Sequence, residues 1–307
     1  MRQFFRSIAL FTLFAVGVYM VLVVLVGNFA AGLPGKNLKY RKGGIGFLYS
    51  RLREIDTVKN VDILFLGSSH TYRGFDPRIF RQHGERTFNL GSSAQSVLQT
   101  EVLLRRYLHR VRPALIIWEI SPASLISDGV ESSIDVVSNQ TNDVWSFAMA
   151  VRQNHITVYN TLIYAVYLDV FRQNADFTEP RRKMDDVYID GGFVQKDPQE
   201  FRIINRAPDA VRINAKQFAA FERCVSFIRE SGARLVMVEA PIARSLYDSY
   251  LHHEEFDRRI GAYGPFYNFN EILTLRDSTD FYDSDHLNQA GVARFNTALV
   301  RVLSDRH

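Results

Sequence analysis

The chain begins with one unbroken apolar block. Residues 7–35 carry no charge, and residues 7–26 are almost wholly Leu, Val, Ile, Phe, Ala and Met, enough helix to cross a hydrocarbon core of about 30 Å. The pattern predicts a membrane-spanning helix. Arg2 and Arg6 before the block, with the small residues Ala30 and Gly32 after it, also suit a cleaved signal peptide. The apolar run exceeds the usual signal core of roughly 7 to 15 residues, which favours a retained anchor. The expected division is an anchor over residues 1–35, a juxtamembrane linker over 36–58 and a folded domain over 59–307.

Past the linker, short apolar runs alternate with amphipathic stretches. Residues 61–66, 87–90 and 114–120 are rich in Val, Ile, Leu and Phe and bounded by polar or turn residues, so they read as buried strands. Between the second and third, Val97, Leu104, Leu108 and Val111 recur on one helical face, with Arg105, Arg106 and Arg110 off it, until Pro113 stops the pattern. Phe218, Phe221, Val225 and Ile228 mark another helix, closed by Gly232 and followed by a strand over 235–238. Val292, Phe295, Leu299 and Val302 predict a terminal helix entered through the turn at 288–291. Strands alternating with helices imply an α/β fold with a parallel sheet. Residues 122–212 break the alternation: they are rich in Asn, Asp and aromatics and hold one predicted helix near 156–171, too short for a second span. They read as an insertion over one end of the sheet.

Composition narrows the function. With 47% hydrophobic and 23% charged residues the chain is neither disordered nor of low complexity. A net charge of +4, with no basic stripe interleaved with aromatics, gives no footprint for nucleic acid. Lys36, Lys39, Arg41, Lys42, Arg51 and Arg53 follow the apolar block, and a count of basic residues alone would place the domain in the cytoplasm. The same cluster suits either contact with anionic headgroups or a solvated linker. Cys224 is the single cysteine, which excludes an internal disulfide and a cysteine-based metal site. Nothing in the sequence calls for a cofactor.

Candidate chemistry gathers at three places. Leu66-Gly67-Ser68-Ser69-His70 directly follows the first strand, where the carboxyl ends of parallel strands hold ligands. A hydroxyl there faces the crevice, although a Ser pair after a Gly also suits a plain helix cap. Asp283-Ser284-Asp285-His286 places a carboxylate three residues before a histidine, in a loop leading to the last helix. Alone it reads as a surface turn; paired with Ser69 it supplies the base and orienting acid that a weak hydroxyl nucleophile needs. Gly91, in Phe88-Asn89-Leu90-Gly91-Ser92-Ser93, follows the second strand at the same edge; it suits either a turn or an N–H aimed at a reacting carbonyl.

These blocks, in this order, resemble the SGNH or GDSL hydrolase superfamily over about residues 60–125 and 213–305. The resemblance implies a flavodoxin-like three-layer parallel sheet and a Ser-His-Asp triad of Ser69, His286 and Asp283. It implies an oxyanion hole built from the N–H groups of Ser69 and Gly91. The first block carries Ser68 where the family has Asp. The third block, normally Gly-x-Asn-Asp, is absent, and Trp118-Glu119-Ile120-Ser121-Pro122 stands in its place. With an amino-terminal anchor, this set looks like the membrane-tethered members that accompany teichoic-acid D-alanyl transfer and alginate O-acetylation. Those relatives imply a domain outside the cytoplasmic membrane, an acylated glycan or acyl-donor protein as substrate, and a membrane O-acyltransferase as partner. The expected activity is a serine acyl-esterase or O-acyltransferase; the alternative is a catalytically degenerate scaffold for such an acyltransferase.

Three further features have bland readings beside functional ones. Asp283, Asp285 and His286, helped by His252 and His253, would suit a divalent ion, but the His pair lies among Glu254, Glu255 and Asp257 and reads as a solvated helix face. His70 would contact substrate or cap the turn. Trp145, Tyr159, Tyr164 and Tyr167 would line a sugar groove or pack in the core.

Overall fold

The computed structural model describes residues 1–30, 37–203, 209–210, 212–251 and 253–304. Its centre is a sheet of five parallel strands: β1 (Ile63–Leu66), β2 (Thr87–Asn89), β3 (Leu115–Glu119), β4 (Arg234–Glu239) and β5 (Phe266–Asn268). Their spatial order is β2-β1-β3-β4-β5, the doubly wound arrangement of flavodoxin-like folds. Ile63 pairs with Thr87 on one side and Leu115 on the other, and Leu115 in turn pairs with Arg234.

Residue alternation along the strands divides the core in two. Leu64, Leu66, Phe88, Ile116 and Trp118 pack on one face with Leu104 and Leu108 of α4 (Val97–Val111) and Phe221 and Val225 of α8 (Ala215–Glu230). Ile63, Phe65, Leu115, Ile117 and Val238 point the other way, onto Val292, Phe295 and Leu299 of the terminal helix α9 (Gln289–Ser304). Side chains of successive strand residues point to opposite faces, so helices cover both faces and the molecule has three layers. The sequence pattern placed β1 to β4 and these helices to within a few residues. It did not reveal β5, whose three residues, Phe-Tyr-Asn, are too few to show a period.

The stretch after β3 is far more ordered than its composition suggests. It holds a short helix at Pro122–Ile126, α5 (Val130–Asn139), α6 (Val144–Gln153) and α7 (Ile156–Val170), then a three-stranded antiparallel sheet at Arg182–Lys183, Asp186–Ile189 and Phe193–Lys196. Helix α5 escaped detection because its inward face is polar. Ser132, Ser133, Asp135, Ser138 and Asn139 are all buried, and apart from one Asp135 oxygen they are paired by bonds such as Ser132 Oγ to Gln99 Oε1 (2.7 Å) and Gln99 Nε2 to Ser133 Oγ (2.7 Å). Buried polar groups persist where they are paired, and such a face defeats a hydrophobic-period reading.

Before the domain, α1 (Arg2–Phe29) is long and apolar enough to cross a membrane. Its last turns lie along α7: the Tyr19 hydroxyl donates to Asn160 Oδ1, and Tyr164 donates to Asn28 Oδ1 at 3.0 Å. Gly27 is buried there, and a Cβ at that position would meet the Tyr164 ring. Tyr164 and Tyr167 thus serve the seam with α1, and Trp145 stacks beneath the Arg105 guanidinium at 5.4 Å.

Candidate active site

In a 2-1-3-4-5 sheet the chain reverses direction between β1 and β3, and a crevice opens at their carboxyl ends. Both strands end there in polar chemistry. After β1, Gly67 adopts φ 139°, and a Cβ would collide with Thr71 Oγ1 and with both backbone and side chain of Glu119. Only glycine passes so close. Ser68 is the extended N-cap of α3 (Ser69–Gly74), its Oγ accepting from the His70 N–H at 3.3 Å, so the cap reading of the serine pair holds for Ser68. Ser69, the first residue of α3, presents its hydroxyl elsewhere.

Ser69 Oγ lies 2.9 Å from His286 Nε2, and the other imidazole nitrogen, Nδ1, lies 3.0 Å and 3.2 Å from the two carboxylate oxygens of Asp283. Asp283 and His286 face each other across the antiparallel pair Phe281–Asp283 and His286–Leu287. The hairpin is held by the Asp285 N–H donating to Asp283 Oδ1 at 2.8 Å, and the His286 ring stacks on Tyr282 with 2° between planes. Burial alone would raise the Asp283 pKa, but the bond and charge of His286, joined by the Asp285 N–H, together outweigh it and the carboxyl is held below its usual range. An ionised carboxylate on Nδ1 places the proton there and leaves Nε2 to accept from the Ser69 hydroxyl.

Gly91 borders the same turn. A Cβ at Gly91 would fall 2.7 Å from the Ser68 carbonyl oxygen and 2.9 Å from that of Gly67, so the two loops approach as closely as backbones can. The Gly91 carbonyl accepts from the buried guanidinium of Arg51 at 3.0 Å, and Arg51 also donates to Gly192 O at 2.9 Å. Arg51, read from sequence as part of a basic linker, is fully buried and tethers this loop.

Glu119, at the end of β3 where the third family block would lie, is fully buried. Its Oε2 accepts from Ser68 Oγ at 3.2 Å, and its Oε1 lies 3.3 Å from His70 Nδ1. The far nitrogen of His70, Nε2, lies 3.2 Å from Asp285 Oδ1. A carboxylate–imidazole–carboxylate chain therefore runs beside the hydroxyl–imidazole–carboxylate chain of Ser69, His286 and Asp283, with the two imidazole centroids 5.6 Å apart. Burial pulls the His70 pKa down, but the charge and hydrogen bond of Asp285 and those of Glu119 overcome it and hold it well above 6.5. His70 is thus neither a plain cap nor a free contact for substrate. Sequence reasoning missed Glu119 and Asp285 as a unit; the available signal was a charged residue closing an otherwise apolar strand.

The metal arrangement considered from sequence does not assemble. Asp283 serves His286, Asp285 serves His70, and His253 Nε2 bonds to Tyr247 O at 2.8 Å; His252 lies outside the described residues. His70, Asp285 and His286 do bring ligand atoms within 4.8 Å of one another, but each of these atoms already has a protein partner in the two chains above.

No protein-family model matches the chain, and no curated protein matches it. Solved structures do. A GDSL-like lipase from Bacteroides thetaiotaomicron is similar at 11% identity and a TM-score of 0.44, covering 84% of this chain and 98% of its own. A protein given as an acylhydrolase, from Bacteroides fragilis, is similar at 11% identity and a TM-score of 0.43, covering 87% and 99%. A protein given as a platelet activating factor, from Streptococcus pneumoniae, is similar at 12% identity and a TM-score of 0.40, covering 83% and 89%. At that distance the chemistry rests on this chain's own side chains. The chain is an α/β protein of 2-1-3-4-5 sheet order, similar in structure to GDSL-like lipases, with a serine, a histidine and an aspartate in hydrogen-bonded sequence where its strands diverge.

Proposed function

We propose that the protein is a membrane-anchored serine acyl-esterase or O-acyltransferase of the SGNH type, acting on acyl groups, acetyl foremost, of a cell-surface glycan. The observation that carries this reading is the 2.9 Å contact between Ser69 Oγ and His286 Nε2, backed by Asp283 at 3.0 Å. Ser69 attacks the acyl carbonyl while His286 takes the hydroxyl proton. Asp283 steadies the imidazolium so formed, and the N–H groups of Ser69 and Gly91 receive the developing oxyanion. Collapse of the tetrahedral species expels the sugar or carrier oxygen, which takes the proton back from His286. Water or a second sugar hydroxyl then releases the acyl group from Ser69, and the choice between them decides hydrolysis or transfer.

In this reading residues 1–35 form the anchor and 59–307 the catalytic domain, which faces the periplasm or cell exterior; of the 36–58 stretch expected as a linker, the helix Leu48–Ile55, with Arg51, is buried against that domain. The glycan substrate and a membrane O-acyltransferase partner are inferred from the resemblance of the motif set to the anchored branch. The basic-residue count after the span argues for the opposite side. The experiment is labelling of the full chain with a fluorophosphonate followed by peptide mass spectrometry. Modification at Ser69 that disappears in His286→Ala supports the enzyme. An unmodified Ser69 in folded protein favours the degenerate scaffold, whose support is Glu119 standing where the family's oxyanion-hole block would be.

A further inference from the structure

The anchor and the domain meet in a way that sets how deep the domain sits. Tyr19 is level with Asn160, and Asn28 is level with Tyr164 and Tyr167. Residue numbers rise together along both helices, so α7 runs parallel to α1 and its first turn points toward the membrane. Ile156, four residues before Asn160, lies about 6 Å nearer the amino terminus of α1 at about 1.5 Å per residue. That is the level of Ala15 by the Tyr19–Asn160 bond and of Tyr19 by the Gly27–Tyr164 contact. The stretch of α1 standing clear of the domain therefore runs from Arg2 to between Phe14 and Val18, about 20–26 Å of helix, against the roughly 30 Å of a hydrocarbon core. The last part of the crossing is made by α1 and α7 side by side.

We propose that the tip of the α6–α7 hairpin is a membrane-docking element, inserted into the lipid leaflet on the domain's side of the bilayer next to α1. Its occupant is the boundary between lipid headgroups and acyl chains. The side chains fit. Val151 in the last turn of α6 is 66% exposed, Phe147 one turn earlier 49%, and Ile156 at the start of α7 45%. Helices of a soluble surface seldom present three such residues together. The polar residues at the tip are suited to a shallow depth: Asn154 and His155 form the connection, and the exposed Arg152 is paired with Glu101 at 3.4 Å. Tyr19, Tyr164 and Tyr167 lie along the seam above the tip, where aromatic hydroxyls mark membrane–water interfaces. Gly27 lets the two helices touch, as small residues do between helices in lipid.

This inference rests on α1 crossing the membrane, and the test separates the two claims. Single cysteines replace Phe11 in α1, Val151 and Ile156 at the tip, and Glu230 at the end of α8. The wild-type chain, whose one cysteine is buried, serves as the blank. Each full-length variant is labelled with an environment-sensitive fluorophore and reconstituted in phosphatidylcholine–phosphatidylglycerol vesicles, with or without lipids carrying a nitroxide quencher either high on the acyl chain or near its end. The expected result is emission lowered about twofold or more at positions 151 and 156 by the shallow quencher, as labels about 5–10 Å deep require, and at position 11, near the bilayer centre, by the deep one, with position 230 unchanged by either. Quenching at 11 with none at 151 and 156 overturns the docking element and leaves the anchor standing. Blue-shifted but unquenched emission at 151 and 156 means that protein, such as a second copy, covers the tip, and also overturns it. Absence of quenching at 11 removes the anchor and the docking element together.

Discussion

His70 sits between two carboxylates 3.3 Å and 3.2 Å away, beside the histidine assigned as base. Burial lowers the pKa of this imidazole, but Asp285 and Glu119 together outweigh it and raise it well above 6.5. Because the folded value exceeds the unfolded one, the stabilisation is fully present below about pH 6.5 and fades as pH rises through the folded value. The melting temperature of the wild type should therefore exceed that of His70→Asn most at mildly acidic pH, with the gap narrowing as the buffer becomes alkaline; a gap that widens with pH would contradict the assignment. Glu119→Ala, which leaves His70 with one carboxylate, should cost about 3 to 5 kcal/mol of stability in denaturant titrations, as removal of one member of a buried ion pair does. At this scale the spacing of Asp283 and His286 made them readable as neighbours, whereas choosing Ser69 over Ser68 and joining it and Gly91 to that pair rested on the resemblance of the block order, and the bond from Ser69 to His286 is a finding of the structure. The Glu119–His70–Asp285 chain was not legible, since its members lie 49 and 215 residues apart and only the fold brings them together.

Helix α5 shows where hydrophobic period fails as a guide to elements. Its buried Asp135 carries one oxygen bonded by Asn139 Nδ2 at 2.9 Å and one, Oδ2, without a hydrogen-bond partner. Burial pushes its carboxyl up to about 7, partly opposed by the charge of Arg51. A carboxyl raised in the folded state stabilises below its unfolded value near 4 and loses that contribution as pH climbs to about 7. Asp135→Asn should accordingly melt higher than the wild type at pH 8 and show little difference near pH 4, measured by circular dichroism. Equal melting at both would show that Asp135 is paired in solution. Strands β1 to β4 were readable because each is a compact apolar run between turn residues, and α4, α8 and α9 because each has an apolar face toward one side of the sheet. The polar-lined α5 and the brief β5 had no such signature.

For the molecule as a whole, alternation of strand and helix gave the parallel sheet, and the block order gave the flavodoxin-like arrangement that the strand order displays. The reversal between β1 and β3 explains why Ser69 and Glu119, from separate strands, share one crevice while a carboxy-terminal hairpin delivers His286 and Asp283 to the same rim. What sequence could not supply was how α1 meets the domain, because that contact is made by Tyr and Asn side chains on α7. The central claim is that Ser69 becomes acylated. It is tested most directly by mixing the full chain with an activated acetyl ester, quenching in acid within the first turnover, and locating acetyl mass by peptide sequencing. The account predicts one acetyl group on the peptide containing Ser69, lost in Ser69→Ala and in His286→Ala. Ester turnover that persists in Ser69→Ala, with no acetyl found on Ser69 in the wild type, would contradict it.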